Sequence, residues 1–196
     1  MATDSALTTE QILSATEDVL RRFGPVKATV VDVARTLGVS HGSVYRFFPS
    51  KAALREAVTQ RWLSQARHDL QLVAIEPGPA GERLHRWLAT LFAATREKAL
   101  DDPQLFATYT TLVGEASRIV DAHLATLIDQ IGQILQDGID KGEFRHTPVV
   151  PTARAVFEAT AHFHDPAHAS GWSDPAVGDR FEAVWKLVLR GLAADA

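Results

Sequence analysis

Two short helices joined by a glycine turn are predicted between Thr29 and Lys51, and this segment constrains the fold more than any other. Thr29 suits an N-cap, and Asp32 three residues later can bond back to it. Gly38 stands where the first helix must stop, because a left-handed C-cap is least costly for glycine. Ser40 can cap the second helix, whose predicted buried side comprises Val44, Phe47 and Phe48. The pattern predicts a helix-turn-helix, whose second helix can enter the DNA major groove.

The charge of this segment is local. No acidic residue occurs between Asp32 and Glu56, although the whole chain carries a net charge of -4. The basic residues of that window are Arg35, His41, Arg46, Lys51 and Arg55. Such a distribution is expected when one small surface meets phosphates and the remainder does not.

The rest of the chain has helical periodicity. Thr8 and Gln11 predict a capping box for a first helix that ends near Gly24, which completes a three-helix head. A long fourth helix, from about Lys51 to Val73, contains no breaker and is predicted to join this head to a second domain. Further helices are predicted near residues 80–100, 104–112, 114–141, 148–163 and 174–192. No stretch alternates with period two, so we predict an all-α fold with domains at residues 1–52 and 53–196.

The run TVVDVARTLGVSHGSVYRFFPSKAAL resembles the DNA-binding signature of the tetracycline-repressor (TetR) family of bacterial regulators. The preceding helix also resembles that family's first helix, so the resemblance covers about residues 8–58. The agreeing positions are Thr29, Asp32, Ala34, Gly38, Val39, Ser40, Gly42, Tyr45, Phe48, Lys51 and Leu54. Phe47 beside Phe48, and Pro49, depart from the family pattern. The resemblance implies a homodimeric transcriptional regulator, most simply a repressor, that binds a palindromic double-stranded DNA operator and is released by a small-molecule effector.

Seven residues are predicted to contact DNA. Three of them, Thr29, Tyr45 and Lys51, are predicted to contact the phosphates of the DNA backbone. Their hydroxyl, phenol and ammonium groups are good donors to phosphate oxygens. The residues predicted to face bases are His41, Ser43 and Arg46, although Arg46 could equally bind a phosphate. Gly42 between them lets the backbone approach the duplex closely.

Bulky aromatic residues with one histidine are spread over several helices of the predicted second domain. The candidate ligand-binding residues are Trp62, Trp87, Phe106, Tyr109 and His123. An apolar pocket with a few polar groups suits a small molecule, but the same spacing is also typical of a plain core. The last two predicted helices carry a broad apolar stripe, and a C2 pairing would place this surface against its own copy. The predicted dimer interface comprises Val156, Phe181, Val184, Trp185 and Val188.

The segment AHFHDPAH groups three histidines, His162, His164 and His168, with Asp165. Imidazole and carboxylate suit zinc or iron, but histidine is also favoured at helix C-termini by the dipole. We predict no metal, no cofactor and no enzymatic activity, because the catalytic motifs and cysteine are missing from the sequence. No run of about 18 apolar residues occurs, so a cytoplasmic protein without a membrane span is expected. Two alternatives remain open: a helical ligand-binding or scaffold protein without DNA binding, and a metal-dependent enzyme.

Overall fold

The computed structural model describes residues 7–194, so the first six and last two residues of the predicted domains lie outside it. Within this range the secondary structure is α-helical, apart from two short 3-10 helices and an isolated β-bridge between Phe144 and Ala193. The all-α prediction is therefore confirmed. None of the described helices combines the length and the apolar character that crossing a bilayer would require.

The helices form two compact units, one of residues 7–63 with 102–120 and the other of residues 64–101 with 121–194. This division by packing differs from the predicted boundary at residue 52, because α4 and α7 pack with the helix-turn-helix head. The first unit contains α1 (Thr9–Lys27), α2 (Val30–Leu37), α3 (His41–Tyr45), α4 (Lys51–Ser64) and α7 (Pro103–Glu115). Its buried apolar core includes Ile12, Val19, Val33, Val44, Leu54, Val58 and Leu112.

The predicted capping of α1 is confirmed. The Thr8 hydroxyl accepts a hydrogen bond from the Gln11 backbone at 3.2 Å, and the Gln11 side chain accepts one from the Thr8 backbone at 2.9 Å. Near the predicted end of the helix, Gly24 adopts φ 72°, which a residue with a side chain rarely adopts, and Pro25 follows it. The regular part of α1 therefore stops at the expected place, and one further turn leads to Ala28.

The predicted long fourth helix is wrong, because it is interrupted after Ser64. A new helix, α5 (Arg67–Ile75), begins after a two-residue turn in which Ala66 has φ -86° and ψ -5°. Neither proline nor glycine occurs between Lys51 and Ile75, so local propensity does not explain the break. The two halves instead bury their apolar faces in different cores: those of α4 in the first unit and those of α5 in the second.

Helix α7 is held in the first unit by three polar contacts along its length, which we call the α7 ties. Each tie pairs a residue of α7, or its N-cap, with one of α1 or α4. They are Asp102 Oδ2 to Arg21 Nε at 2.7 Å, Glu17 Oε1 to the Tyr109 hydroxyl at 3.0 Å, and Glu115 Oε2 to Arg55 Nη2 at 2.5 Å. Tyr109 is fully buried, whereas both ion pairs reach the surface.

The second unit contains α5, α6 (Ala80–Asp101), α8 (Ser117–Asp140) from residue 121 onward, α9 (Val149–Ala159), two 3-10 helices (Ala161–Phe163 and Pro166–Gly171) and α10 (Val177–Leu192). The apolar stripe of α8 is buried along its centre. Its buried members are Leu127, Ile128, Ile131, Ile134 and Leu135. Trp87 of α6 lies in the same core and is fully buried.

Two buried polar side chains cross-link the helices of the second unit. Gln130 accepts a hydrogen bond from Trp87 Nε1 at 3.0 Å and donates one to Gln71 Oε1 at 3.0 Å. Arg83 donates to the carbonyls of Ala74 and Glu76 at the end of α5 and pairs with Asp137. These bonds satisfy donors and acceptors that would otherwise be costly to bury, although the buried Arg83 Nε meets no partner among the described residues.

The histidine segment follows the C-terminus of α9. His164 Nε2 donates to the Phe157 carbonyl at 3.1 Å, and burial lowers the pKa of this imidazole. The carbonyl of His162 accepts a hydrogen bond from Trp172 Nε1 at 2.8 Å, and Trp172 is fully buried. Within residues 7–194, no group of three or more His, Cys, Asp or Glu side chains is arranged to hold a metal ion. The packing of this segment accounts for the side chain of His164 without a metal.

Candidate nucleic-acid interface

The geometry of α2 follows its predicted caps. The Thr29 hydroxyl accepts a hydrogen bond from the Asp32 backbone at 3.2 Å and donates one to Asp32 Oδ2 at 2.5 Å. The hydrogen bond from the Thr29 hydroxyl is the largest cause of the lowered pKa of Asp32. The hydrogen bond from the Thr29 backbone, and then the charge of Arg35, lower this pKa further. Gly38 ends the helix in the left-handed region, at φ 68° and ψ 26°. The capping box and the glycine C-cap are therefore confirmed.

Helix α3 is anchored from one side. The Ser40 hydroxyl accepts a hydrogen bond from the Ser43 backbone at 3.2 Å, as predicted, and Val44 is fully buried. Phe48 is buried too, but Phe47 is 39% exposed, so the prediction that both rings face the core is wrong for Phe47. The helix ends at Tyr45, and the chain then turns, which directs consecutive residues to different sides.

The opposite face of α3 is exposed and carries His41, Gly42, Tyr45 and Arg46. The rings of His41 and Tyr45, one turn apart, meet edge to face with centroids 6.3 Å apart. Within residues 7–194, no hydrogen-bonding group or carboxylate meets the Arg46 side chain or the Tyr45 hydroxyl. This face therefore presents donors that are free to bind an external acceptor.

Gly42 lies at the centre of this face without an internal reason to be glycine. A Cβ added there would meet just Ser40 Oγ, at an ordinary 3.7 Å, and the backbone is helical rather than left-handed. Glycine inside a helix costs roughly 0.5–1 kcal/mol relative to alanine. The small residue therefore weakens α3 while it leaves the outer surface flat, which a close external partner would require.

Thr29 and Ser43 are more constrained than their predicted DNA contacts suggest. The Thr29 hydroxyl is engaged both as donor and as acceptor with Asp32. The Ser43 hydroxyl lies 3.0 Å from that of Ser40, within the cap of α3. Each of these hydroxyls would have to share or exchange an existing hydrogen bond in order to contact DNA.

Lys51 is the first residue of α4, and the Ser50 hydroxyl caps this helix by accepting from the Ala53 backbone at 3.0 Å. The Lys51 ammonium lies 3.5 Å from the Val26 carbonyl. A cation at a helix N-terminus opposes the helix dipole, which favours an anion at that end. The Val26 carbonyl is the acceptor that the Lys51 ammonium finds among the described residues.

The basic residues of this region differ in their partners. Arg35 pairs with Asp32 at 3.0 Å, and Arg55 pairs with Glu115 at 2.5 Å. Arg46 and Lys51, in the same window from residue 33 to 55, form no ion pair with a described residue. Sequence position alone did not separate these two groups of cations.

The five predicted ligand-binding residues fall in both units. Trp62, Phe106 and Tyr109 lie in the first. The ring centroid of Trp62 is 4.6 Å from that of Tyr109, on which it stacks, and 5.9 Å from that of Phe106. Trp87 and His123 lie in the second. Trp87 belongs to the buried contact with Gln130, and burial is the largest cause of the low pKa of His123, about 4.

The predicted dimer-interface residues divide by exposure. Val156, Phe181 and Trp185 are buried within their own chain, whereas Val184 and Val188 are half-buried. Two apolar residues outside the predicted set are more exposed: Val150 of α9 at 69% and Leu187 of α10 at 67%. The α10 stripe is broad because its central residues complete the core of the second unit.

Two family models match the chain. Residues 12–58 match the model for bacterial regulatory proteins of the tetR family, and residues 80–185 match the tetracyclin repressor-like C-terminal domain. The second match alone spans more than half of the chain. The first includes the whole of α2, α3 and the exposed face described above.

Relatives and solved structures agree with these matches. The uncharacterized HTH-type transcriptional regulator Rv1255c of Mycobacterium tuberculosis is 26% identical over 133 residues, which are 64% of this chain and 64% of that protein. SmeT, the repressor of the Stenotrophomonas maltophilia multidrug efflux pump SmeDEF, is 18% identical with a TM-score of 0.70. The match covers 99% of this chain and 94% of SmeT. FadR from Bacillus subtilis, solved with stearoyl-CoA, is 18% identical with a TM-score of 0.69. That match covers 94% of this chain and 99% of FadR. At these identities the two solved structures show the fold.

Proposed function

Because the chain belongs to the tetR family of bacterial DNA-binding transcriptional regulators, we propose that it is a repressor that binds a palindromic operator as a homodimer and is released by a small molecule. The observation that carries the DNA-binding part is the exposed face of α3, where Tyr45 and Arg46 offer unpartnered donors around Gly42. Such a regulator would act in the cytoplasm, on chromosomal DNA.

The proposed DNA contacts divide into phosphate contacts, which position the protein on the duplex, and base contacts, which recognise its sequence. Tyr45 and Lys51 stand at the end of α3 and the start of α4, and they bind phosphates, with Thr29 as a weaker third. His41 and Arg46 face base edges, and Arg46 can reach a guanine with two donors. Ser43 contributes to the cap of α3 first and to DNA second, since its hydroxyl already contacts Ser40.

Selection of bound duplexes from a random pool, followed by anisotropy measurements over a salt series, tests this assignment. Lys51→Ala should weaken binding to every duplex by similar factors and lower the salt slope by about one. Tyr45→Phe should also weaken all duplexes alike, whereas Arg46→Ala should relax the preferred sequence. Lys186→Ala, on the exposed side of α10, serves as the charge-matched control.

Gly42→Ala separates binding from folding at the same face. The added methyl group makes an ordinary van der Waals contact with Ser40 Oγ, so the variant should fold and be as stable as the parent or more stable. It should nevertheless bind the selected operator at least about tenfold more weakly, because about 1.4 kcal/mol of lost contact corresponds to that factor. Failure to select any DNA sequence would favour a helical ligand-binding protein instead.

The homodimer is proposed to form through α9 and α10 in a C2 arrangement. Val184 and Val188 remain partly accessible on α10, and the more exposed Val150 and Leu187 extend the apolar surface. Val184→Glu combined with Val188→Glu should yield monomers by light scattering with helicity retained, whereas Lys186→Glu should stay dimeric. Phe181 and Trp185 are unsuitable for this test, because their substitution would disturb the core of their own chain.

The effector is proposed to bind in the second unit, near His123, whose buried Nδ1 finds no partner among the described residues. The α7 ties offer a way to read the bound state, since α7 packs on α1 of the head. An effector that favours a state with weakened ties lowers DNA affinity by the difference of its own affinities for the two states. Compounds that bind the protein without changing its operator affinity would contradict this part of the proposal.

A further inference from the structure

Three basic side chains from three helices of the second unit form a cluster. Arg67 is the first residue of α5, Lys98 lies near the end of α6, and His123 lies in the second turn of α8. Burial, then the charge of Arg67, then that of Lys98 lower the pKa of His123 to about 4. The charges that act on this imidazole are thus both positive, which marks a place where a negative charge would be stabilised.

Two atoms of the cluster also need hydrogen-bond partners. Within residues 7–194, neither Arg67 Nε nor His123 Nδ1 meets one, although both atoms are buried. His164 makes the contrast clear: burial lowers its pKa too, but its Nε2 donates to the Phe157 carbonyl. Buried polar groups are normally paired, so the unpaired atoms in a cationic cluster indicate a place for an external group.

We propose that Arg67, Lys98 and His123 bind the carboxylate of the effector. This inference rests on the proposed ligand-responsive function and names the chemical class of the ligand. Arg67 Nε and one terminal nitrogen form a planar fork that matches two carboxylate oxygens. Lys98 supplies a second positive charge, and His123 Nδ1 offers a further hydrogen bond.

The cluster lies at the ends of the chain segments that build the second unit. Arg67 and Lys98 are three residues from the two ends of the segment 64–101, and His123 is two residues after the start of the segment from residue 121. The chain connects to the first unit at those same ends. A ligand that draws the three side chains together therefore acts on the connections through which a bound state can be transmitted.

Direct binding to the full chain tests the carboxylate assignment. The probes are straight-chain carboxylates from butanoate to hexadecanoate, each measured against its own neutral amide and the corresponding alkyl phosphate by calorimetry. We expect at least one carboxylate to bind about tenfold or more tightly than its amide, a difference of about 1.4 kcal/mol. Arg67→Gln should abolish that preference while leaving the amide affinity unchanged, and Arg154→Gln on exposed α9 should retain it. The assignment is overturned if no carboxylate is preferred to its amide, if Arg67→Gln keeps the preference, or if the alkyl phosphates bind more tightly.

A second measurement needs no probe. Arg67 is half-buried and its buried Nε has no hydrogen-bond partner among the described residues, so Arg67→Met should not lower the Tm of the ligand-free protein. A residue with a purely structural role would show the reverse, and a lowered Tm would contradict the proposal.

Operator release separates this inference from the proposed function. Carboxylate-selective binding without release from the selected operator would leave the inference standing and remove the ligand-response part of the function. Release by neutral apolar compounds, with carboxylates no better than their amides, would leave the function standing and overturn the carboxylate site.

Discussion

The two compact units hold their helices together with polar contacts of different exposure. In the first unit, the ion pairs of the α7 ties reach solvent: Arg21 is 43% and Glu115 55% exposed. In the second, the cross-linking Arg83 and Gln130 are 4% and 2% exposed. Exposed ion pairs contribute about 0–1 kcal/mol and are screened by salt, whereas breaking a buried contact costs several times more. The cross-links of the second unit are therefore expected to contribute more to stability than the two ion pairs of the α7 ties, while the buried side of α7 is fixed by Tyr109 and Leu112.

The largest effect should come from Arg83→Met in the second unit. The substitution leaves the Ala74 and Glu76 carbonyls without their donor, although Asp137 keeps Lys141 at 2.8 Å. We expect the free energy of unfolding to fall by about 3 kcal/mol in urea denaturation. Arg86→Met, at a 52% exposed pair with Glu76, should change it by less than about 1 kcal/mol. Equal losses would erase the difference between buried and exposed contacts.

Gln130→Leu should give the next largest effect. It leaves Trp87 Nε1 and Gln71 Oε1 without their shared partner in an otherwise apolar core. A loss of about 2 kcal/mol in the free energy of unfolding is expected, nearly independent of salt. The control is Gln136→Leu on the exposed side of α8, outside this network, where a change below about 0.5 kcal/mol is expected. A strong salt dependence at Gln130 would show that the second unit is held electrostatically after all.

His123 makes the second unit sensitive to pH. Its pKa of about 4 lies below the value near 6.5 of an unfolded histidine, so the unfolded chain binds more protons between those values. Stability is therefore complete above about pH 6.5 and falls as the pH drops toward 4. Between pH 7 and 5 the parent should lose about 1–2 kcal/mol more than His123→Gln, as measured by urea denaturation at each pH. Parallel pH profiles of parent and variant would place the sensitivity elsewhere, for example at His164.

The smallest effect on stability is expected at Arg21→Gln in the first unit. The variant loses the contact with Asp102, which should cost less than about 1 kcal/mol and less still at high salt. Amide hydrogen exchange should nevertheless rise along α7 and remain unchanged in α6 and α8. The neighbouring Arg22→Gln, which leaves the tie intact, is the control. Unchanged exchange in α7 would mean that the two remaining ties, at Tyr109 and Glu115, are enough to fix this helix.

Local chemistry allowed much of the head to be predicted. Each cap depends on residues three or four positions apart, so Thr8 with Gln11, Thr29 with Asp32, and Gly38 could be placed from the sequence. The outward face of α3 followed from the same register. Phe47 could not be placed correctly, because helical periodicity does not reveal that α3 ends at Tyr45.

Features that depend on tertiary packing were not accessible in this way. The break after Ser64 arises because α4 and α5 bury their faces in different cores, and no breaker marks it. The membership of α7 in the first unit depends on contacts separated by many residues, such as Glu17 with Tyr109. The cluster around His123 was likewise invisible, although His123 itself was singled out, because Arg67 and Lys98 are distant from it in sequence.

Gly42 has a consequence for any effort to engineer this protein. Alanine fits there without a clash and favours the helix, so a screen for heat resistance alone would enrich Gly42→Ala. The same screen would not select against neutral residues in place of Arg67. A thermostable variant obtained in this way would be well folded and easy to purify, but it would bind neither the operator nor the effector. Selection must therefore include operator binding and release at every round.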